Sequence, residues 1–228
     1  MRRPRSSVVV ALTVILVAAA GVVAVVALTR EQSRPTSDVP SAADPDPAMR
    51  IDGVVRHFYR GGHVGPGKRV AYRYSPPIGG RHDAVWATCT GIVYPRALRN
   101  ENAVHALEHG AVWITYRPSL DPGSVAALAR RVTGVDHMLM SPYPGLDTPI
   151  SLQAWGHQLR LDDATDPRID RFVTETRLNT QSNVYPEDPK ATASPEPSGT
   201  CATTGVFDVA DPPAPDTGPL PATAIPDA

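Results

Sequence analysis

Ala97-Leu98-Arg99-Asn100-Glu101-Asn102-Ala103-Val104-His105-Ala106-Leu107-Glu108-His109-Gly110-Ala111-Val112-Trp113-Ile114-Thr115-Tyr116 is the stretch that decides the fold. Residues 97–109 read as a helix, and Gly110 supplies the left-handed stop that glycine adopts without strain. Ala111–Tyr116 is then a compact strand, closed by Pro118. Inside the helix, His105 and His109 stand four residues apart with Glu108 beside them. Positions i and i+4 lie on one helical face, so a single metal ion or polar substrate can touch both rings.

Outward from this unit the signals stay mixed. Val70, Tyr72 and Tyr74 alternate with Ala71 and Arg73 as a strand ended by Ser75-Pro76-Pro77, and Val85–Tyr94 has the β-branched and aromatic content of another. Asp121 caps a helix opening at Pro122 and running to about Thr133. Val135–Met140 and Ile150–Leu159 read as strands, and Asp166-Pro167 opens a last helix toward Arg177. Strands and helices interleave without a regular βαβ period. The predicted class is α+β, one compact domain over residues 51–180 with a mixed or antiparallel sheet and about three helices.

Val8–Leu28 is apolar apart from Thr13 and Gly21, about the roughly 20 residues a helix needs to cross a bilayer. Arg2, Arg3 and Arg5 precede it, which predicts a cytoplasmic stretch at 1–7, a lipid-embedded helix at 8–28 and an extracytoplasmic remainder. A cleaved signal peptide is the alternative, and it exports the domain equally. Residues 29–50 read as a flexible linker, and 181–228 as a Pro/Ala-rich, mostly disordered tail. With 22 Lys+Arg against 23 Asp+Glu and no basic stripe beyond the first residues, nucleic acid is not an expected partner.

All seven histidines fall inside the predicted domain. His63 and His82 each follow a glycine pair, which places them on loops. With His105 and His109 they form a candidate ligand set, since neutral imidazole suits zinc, copper, iron and nickel. Glu108 is a candidate acceptor orienting a ring from behind, as metal-bound histidine requires, or a solvated helix carboxylate. Met138 and Met140 alternate around Leu139, so their thioethers share one strand face. They are candidate soft ligands favouring copper, and core packing is the competing reading. His57, His137 and His157 read as incidental, and Trp86, Trp113 and Trp155 as core. Cys89 and Cys201 form an even pair that reads as a disulfide in an oxidising compartment, against two free thiols or a metal role for Cys89.

His63-Val64, Pro76-Pro77-Ile78-Gly79-Gly80-Arg81-His82, Trp86–Tyr94 with Cys89, Glu101–Gly110, Val112–Tyr116, Ser141-Pro142-Tyr143-Pro144-Gly145 and Ala154-Trp155-Gly156 together resemble the bacterial "domain of unknown function 3105" family, found notably in actinobacterial membrane-anchored proteins. The resemblance covers about Ile51–Asn179. Asp83-Ala84-Val85 and Thr90 depart from its pattern. It implies no settled activity, but it brings forward His63, His82, His105, Glu108, His109 and Trp155, and Cys201 fits a tail cysteine such proteins often carry.

Three functions fit these residues. The first is a non-enzymatic, membrane-tethered domain binding copper or zinc through His63, His82, His105 and His109. The second is a hydrolase using Glu108 as its catalytic base. His105-x-x-Glu108-His109 matches the inverted zinc-protease motif, although no third ligand on a downstream helix accompanies it. The third is a cell-envelope partner-binding module with structural histidines.

Overall fold

The computed structural model describes residues 38–202, 207–215 and 218–227. The apolar run at 8–28 lies outside them. Among the described residues no helix is long and apolar enough to cross a membrane.

The fold is α+β. A six-stranded mixed sheet contains β1 (Val55–Arg56), β5 (Thr90–Val93), β6 (Val112–Tyr116), β7 (Met138–Pro142), β8 (Ile150–Ala154) and β9 (His157–Leu161), in the order β1-β9-β8-β6-β7-β5. Strand β7 runs parallel to both β5 and β6, and the remaining pairs are antiparallel. Two small ladders stand apart: β2 (His63–Val64) with β4 (His82–Asp83), and β3 (Val70–Ala71) with β10 (Ile225–Pro226). Helix α1 is Asn100–Glu108, α2 is Pro122–Val132 and α3 is Arg168–Thr176.

Strand alternation splits the core in two. Trp113 and Leu139 face a layer built from α1, Trp155 and parts of the tail. Val112, Ile114, Met138 and Met140 face the opposite layer, with Leu128 and Val132 of α2 and Ile169 and Phe172 of α3. Asp121 accepts a hydrogen bond from the Ser124 N–H at 2.9 Å, the cap its position predicts. Helix α1 ends as its glycine dictates. Gly110 has φ +89°, its N–H donates to Leu107 O, and the Ala111 N–H donates to Ala106 O. That pair of bonds satisfies two otherwise orphaned carbonyls.

Three sequence expectations change. Ile150–Leu159 is not one strand but the hairpin β8–β9. Gly156, with φ +71°, turns it, and a side chain there would overlap the Tyr185 hydroxyl. The strand expected over Val70–Tyr74 shrinks to two residues, whose partner comes from the far end of the chain. The tail expected to lack order contributes Val184, Tyr185, Ala193, Cys201 and Phe207 to the α1-side core. The Cys89–Cys201 disulfide and the Tyr185 hydroxyl, 2.8 Å from Trp155 O, fasten it. The disulfide read from the cysteine pair thus forms and holds the tail, while the Tyr185 contact was not read from the sequence.

The end of the expected linker also packs. Asp46 is paired with Arg56 at 2.6 Å and with the buried His157 ring at 3.2 Å. Burial alone would raise the Asp46 carboxyl, but the His157 hydrogen bond and charge, together with Arg56, outweigh it and hold the group below the ordinary carboxylate range. A depressed carboxylate contributes stability above its unfolded pKa of about 4 and loses it as pH falls through the lower folded value. Asp46→Asn is therefore expected to cost about 2–3 kcal/mol at pH 7 and progressively less toward pH 3, because acid removes the same contribution from the native protein. Denaturant melts at the two pH values check this, and an equal cost at both would refute the ion-pair account.

Candidate metal centre

Strands β2 and β4 meet one face of α1. The parallel β2–β4 ladder sets His63 directly beside His82. Gly80, at φ +97°, shapes the turn before His82, and its Cα lies so close to Asp227 that a side chain would overlap the Asp227 carbonyl. Helix α1 supplies His105 and, one turn on, Glu108. The ring centroids stand 5.1 Å apart for His63 and His82, 4.9 Å for His63 and His105, and 4.7 Å for His82 and His105. One donor atom from each of these rings and one from Glu108 all lie within 4.8 Å of one another. Around one ion with bonds of roughly 2.0–2.1 Å, donors sit about 3–4 Å apart, so small side-chain rotations close the shell. His82, His105 and Glu108 are buried, while His63 is exposed and forms the solvent side.

The rings are oriented from behind by backbone. The Nδ1 of His82 lies 2.8 Å from Gly80 O, that of His105 2.8 Å from Asp83 O, and that of His109 3.0 Å from Thr200 O. A carbonyl only accepts, so each Nδ1 carries a proton there, which leaves Nε2 of His82 and His105 for the quartet and Nε2 of His109 for Glu196. This is the outer-shell arrangement metal-bound imidazole requires. Asp83 is itself fixed by Arg99 at 2.6 Å and by the Val85 N–H, so the stretch that departs from the family pattern still seats a ring.

Glu108 is not behind a ring, as its place beside His109 suggested, but among the donors. Its Oε2 stands 2.8 Å from His82 Nε2. The contact is off the line of that nitrogen, which makes no aligned hydrogen bond. No lysine or arginine among the described residues pairs with Glu108. Burial would raise its carboxyl, but His82, then His105 and His63, outweigh this and hold it below the ordinary value. Burial pushes the His105 ring down to about 4, with neighbouring rings adding to it against the Asp83 carbonyl. Burial likewise lowers His109, against the opposing pull of Thr200 O and Glu196.

His109 faces away from this quartet. Its ring sits 4.6 Å from that of His105, and its Nε2 lies 3.5 Å from Glu196 Oε2. One donor each from His105, His109 and Glu196 again lie within 4.8 Å of one another. Trp86 covers both rings edge-on, 5.3 Å from His105 and 5.1 Å from His109, and Trp155 flanks His82 at 6.0 Å. Glu196 escaped sequence reasoning because it lies in the Pro-rich tail. Its position five residues before Cys201 was the available signal. Asp136, His137 and Cys201 also cluster, but the Cys201 sulfur is committed to the disulfide and offers no thiolate.

The sequence placed both methionines on one face correctly, but that face is the wrong one. Met138 and Met140 belong to the core between the sheet and α2–α3, opposite the histidines. His157 serves the Asp46 pair, and His57 packs against Tyr59 and Tyr74.

The family model described as "Protein of unknown function (DUF3105)" matches residues 63–194, more than half the chain. The chain belongs to the DUF3105 family. The matched region holds His63, His82, His105, Glu108 and His109, while Glu196 and Cys201 lie beyond the DUF3105 match. No curated protein and no solved structure matches the chain.

Proposed function

We propose that this DUF3105 protein is a membrane-tethered, extracytoplasmic domain that holds one transition-metal ion, zinc or copper, on His63, His82, His105 and Glu108. One observation carries the reading. Among the described residues, the titratable groups around the buried Glu108 carboxylate are imidazoles, and the Nδ1 atoms of two of those rings are taken by backbone carbonyls, which leaves Nε2 for the site. Donor atoms converging in a dry site repel one another unless a proton or a metal cation joins them, and burying charge costs several kcal/mol. Three imidazoles and a carboxylate suit zinc and copper(II). With the methionines on the other side of the sheet, no thioether favours copper(I). The apolar run at 8–28 behind Arg2, Arg3 and Arg5 supports a bilayer anchor, and the disulfide supports an oxidising compartment.

The test is elemental analysis of the full-length protein, purified without chelator from cells supplied with both metals. Close to one zinc or copper per chain is expected. Metal at trace level would falsify the proposal.

Gly61 provides a second test that removes no donor. A side chain there would overlap the Glu108 carboxylate, which has to swing away, while the Trp155 ring stays at ordinary contact distance of 3.6 Å. Gly61→Ala is expected to weaken metal binding on the order of 10–100-fold, as displaced supporting groups do, and to leave the melting temperature of the metal-free protein within a few degrees. Unchanged affinity by competition with a chelating dye would remove Glu108 from the ligand set.

A further inference from the structure

The structure assigns a second cation position, His105–His109–Glu196, that shares His105 with the first and therefore excludes simultaneous full occupancy. This inference rests on the metal-binding reading above. His105 Nδ1 is committed to the Asp83 carbonyl, so the ring has one lone pair to give, on Nε2. In each group, one ring nitrogen of His105 lies within 4.8 Å of the other donors, and with Nδ1 committed the nitrogen free to bind a cation in either group is Nε2. His109 is likewise oriented by Thr200 O and presents Nε2 toward Glu196. The second position is built, not incidental. The Glu196 N–H donates to Glu108 O at 3.0 Å, at the end of α1. The Gly199 N–H donates to Glu196 O at 2.9 Å, and Gly199 packs so tightly on the His109 ring that any side chain would overlap it.

The two positions differ in how they meet solvent. The first reaches it through His63 and the second through Glu196, whose side chain is 50% exposed. Between them lies the buried His105 ring, roofed by Trp86. One ion can thus be held by either set, with His105 retained as it moves: a two-station relay with an entrance at each end. The ligands suit a borderline divalent cation such as zinc or copper(II) in both stations.

His63 and Glu196 are both solvent-exposed, so replacing either spares the core and isolates one station. The experiment titrates metal-free, full-length protein with Co²⁺, using visible absorption for coordination and equilibrium dialysis for stoichiometry. Wild type is expected to bind one equivalent, not two. His63→Ala is expected to bind one equivalent with an altered spectrum and an affinity lower by at least the roughly 10–100-fold that lesser, outer-shell changes cost. Glu196→Gln alone is expected to change affinity by under about threefold, because the first station remains. Added to His63→Ala, it is expected to cost a further tenfold or more, since each tenfold is 1.4 kcal/mol of binding that only the second station supplies. Equal effects of Glu196→Gln in both backgrounds, or two equivalents in wild type, overturn the shared-ligand relay. If His63→Ala abolishes uptake while wild type binds, the second station falls and the first stands. If wild type binds no Co²⁺, both fall.

Discussion

His105→Ala is expected to strip the protein of metal more completely than any other single change. His105 is the one ring present in both donor groups, and its Nδ1 anchor leaves only one nitrogen to give. Metal per chain is expected to drop by well over the roughly tenfold that an outer-shell lesion causes. The cleanest readout is thermal. A ligand that binds only the folded state stabilises it by about 2.7 kcal/mol at a hundredfold excess over Kd, so added zinc is expected to raise the wild-type melting temperature. The same addition is expected to leave His105→Ala unmoved. Truncation also orphans the buried Asp83 carbonyl, at about 1–3 kcal/mol, so the metal-free variant melts lower than metal-free wild type. The two effects separate, because the first depends on zinc and the second does not. A variant that still takes one ion at wild-type affinity ends the proposal for this centre.

Opening the Cys89–Cys201 bridge is expected to be the most destabilising change away from the histidines. The bridge spans 112 residues and joins β5's approach to the tail, with Cα atoms 4.7 Å apart. The chain-entropy account gives about 5 kcal/mol for a loop of that length, a third or more of a typical domain's net stability. For a protein of this size the melting temperature should fall by roughly 10–20 °C in Cys89→Ser/Cys201→Ser. The loss carries into the site. The Cys89 N–H donates to Cys201 O, and the adjacent Thr200 carbonyl orients His109. Releasing the tail therefore also removes Glu196 and the His109 tether, and the double serine variant is expected to retain metal only on the first four donors. A fall of only a few degrees would show that Tyr185 and Phe207 dock the tail unaided.

Much of this was legible in the sequence, and the parts that were not have identifiable causes. The α1–Gly110–β6 unit could be read because periodicity, a glycine stop and a compact apolar run agree within twenty residues. Asp121-Pro122 could be read because capping is local chemistry. The β8–β9 turn was hidden by Trp155-Gly156, a single glycine inside an apolar run, with none of the paired turn residues that mark hairpins. His63 and His82 carried a local signal in their glycine pairs, but their adjacency is a β-ladder between segments nineteen residues apart in number. Glu196 was missed although the Cys89–Cys201 tie was read from the sequence, because the tail's order also rests on burial of Tyr185 and Phe207, which composition does not encode. The methionines show a limit of alternation: it fixes which side chains share a face, but not which layer that face meets.

The two-residue ladder joining β2 to β4 has an unequal consequence for tolerance to changes in chain length. Residues 65–67 form an exposed turn just after it, so extra residues inserted there lengthen a loop and leave the pairing alone. Losing a single residue next to His63 is different, since a one-position slip in a strand reverses every side chain. The imidazole would then point outward and a neighbour's side chain would stand opposite His82, so an indel of one residue there would silence the centre while leaving every donor in the gene product.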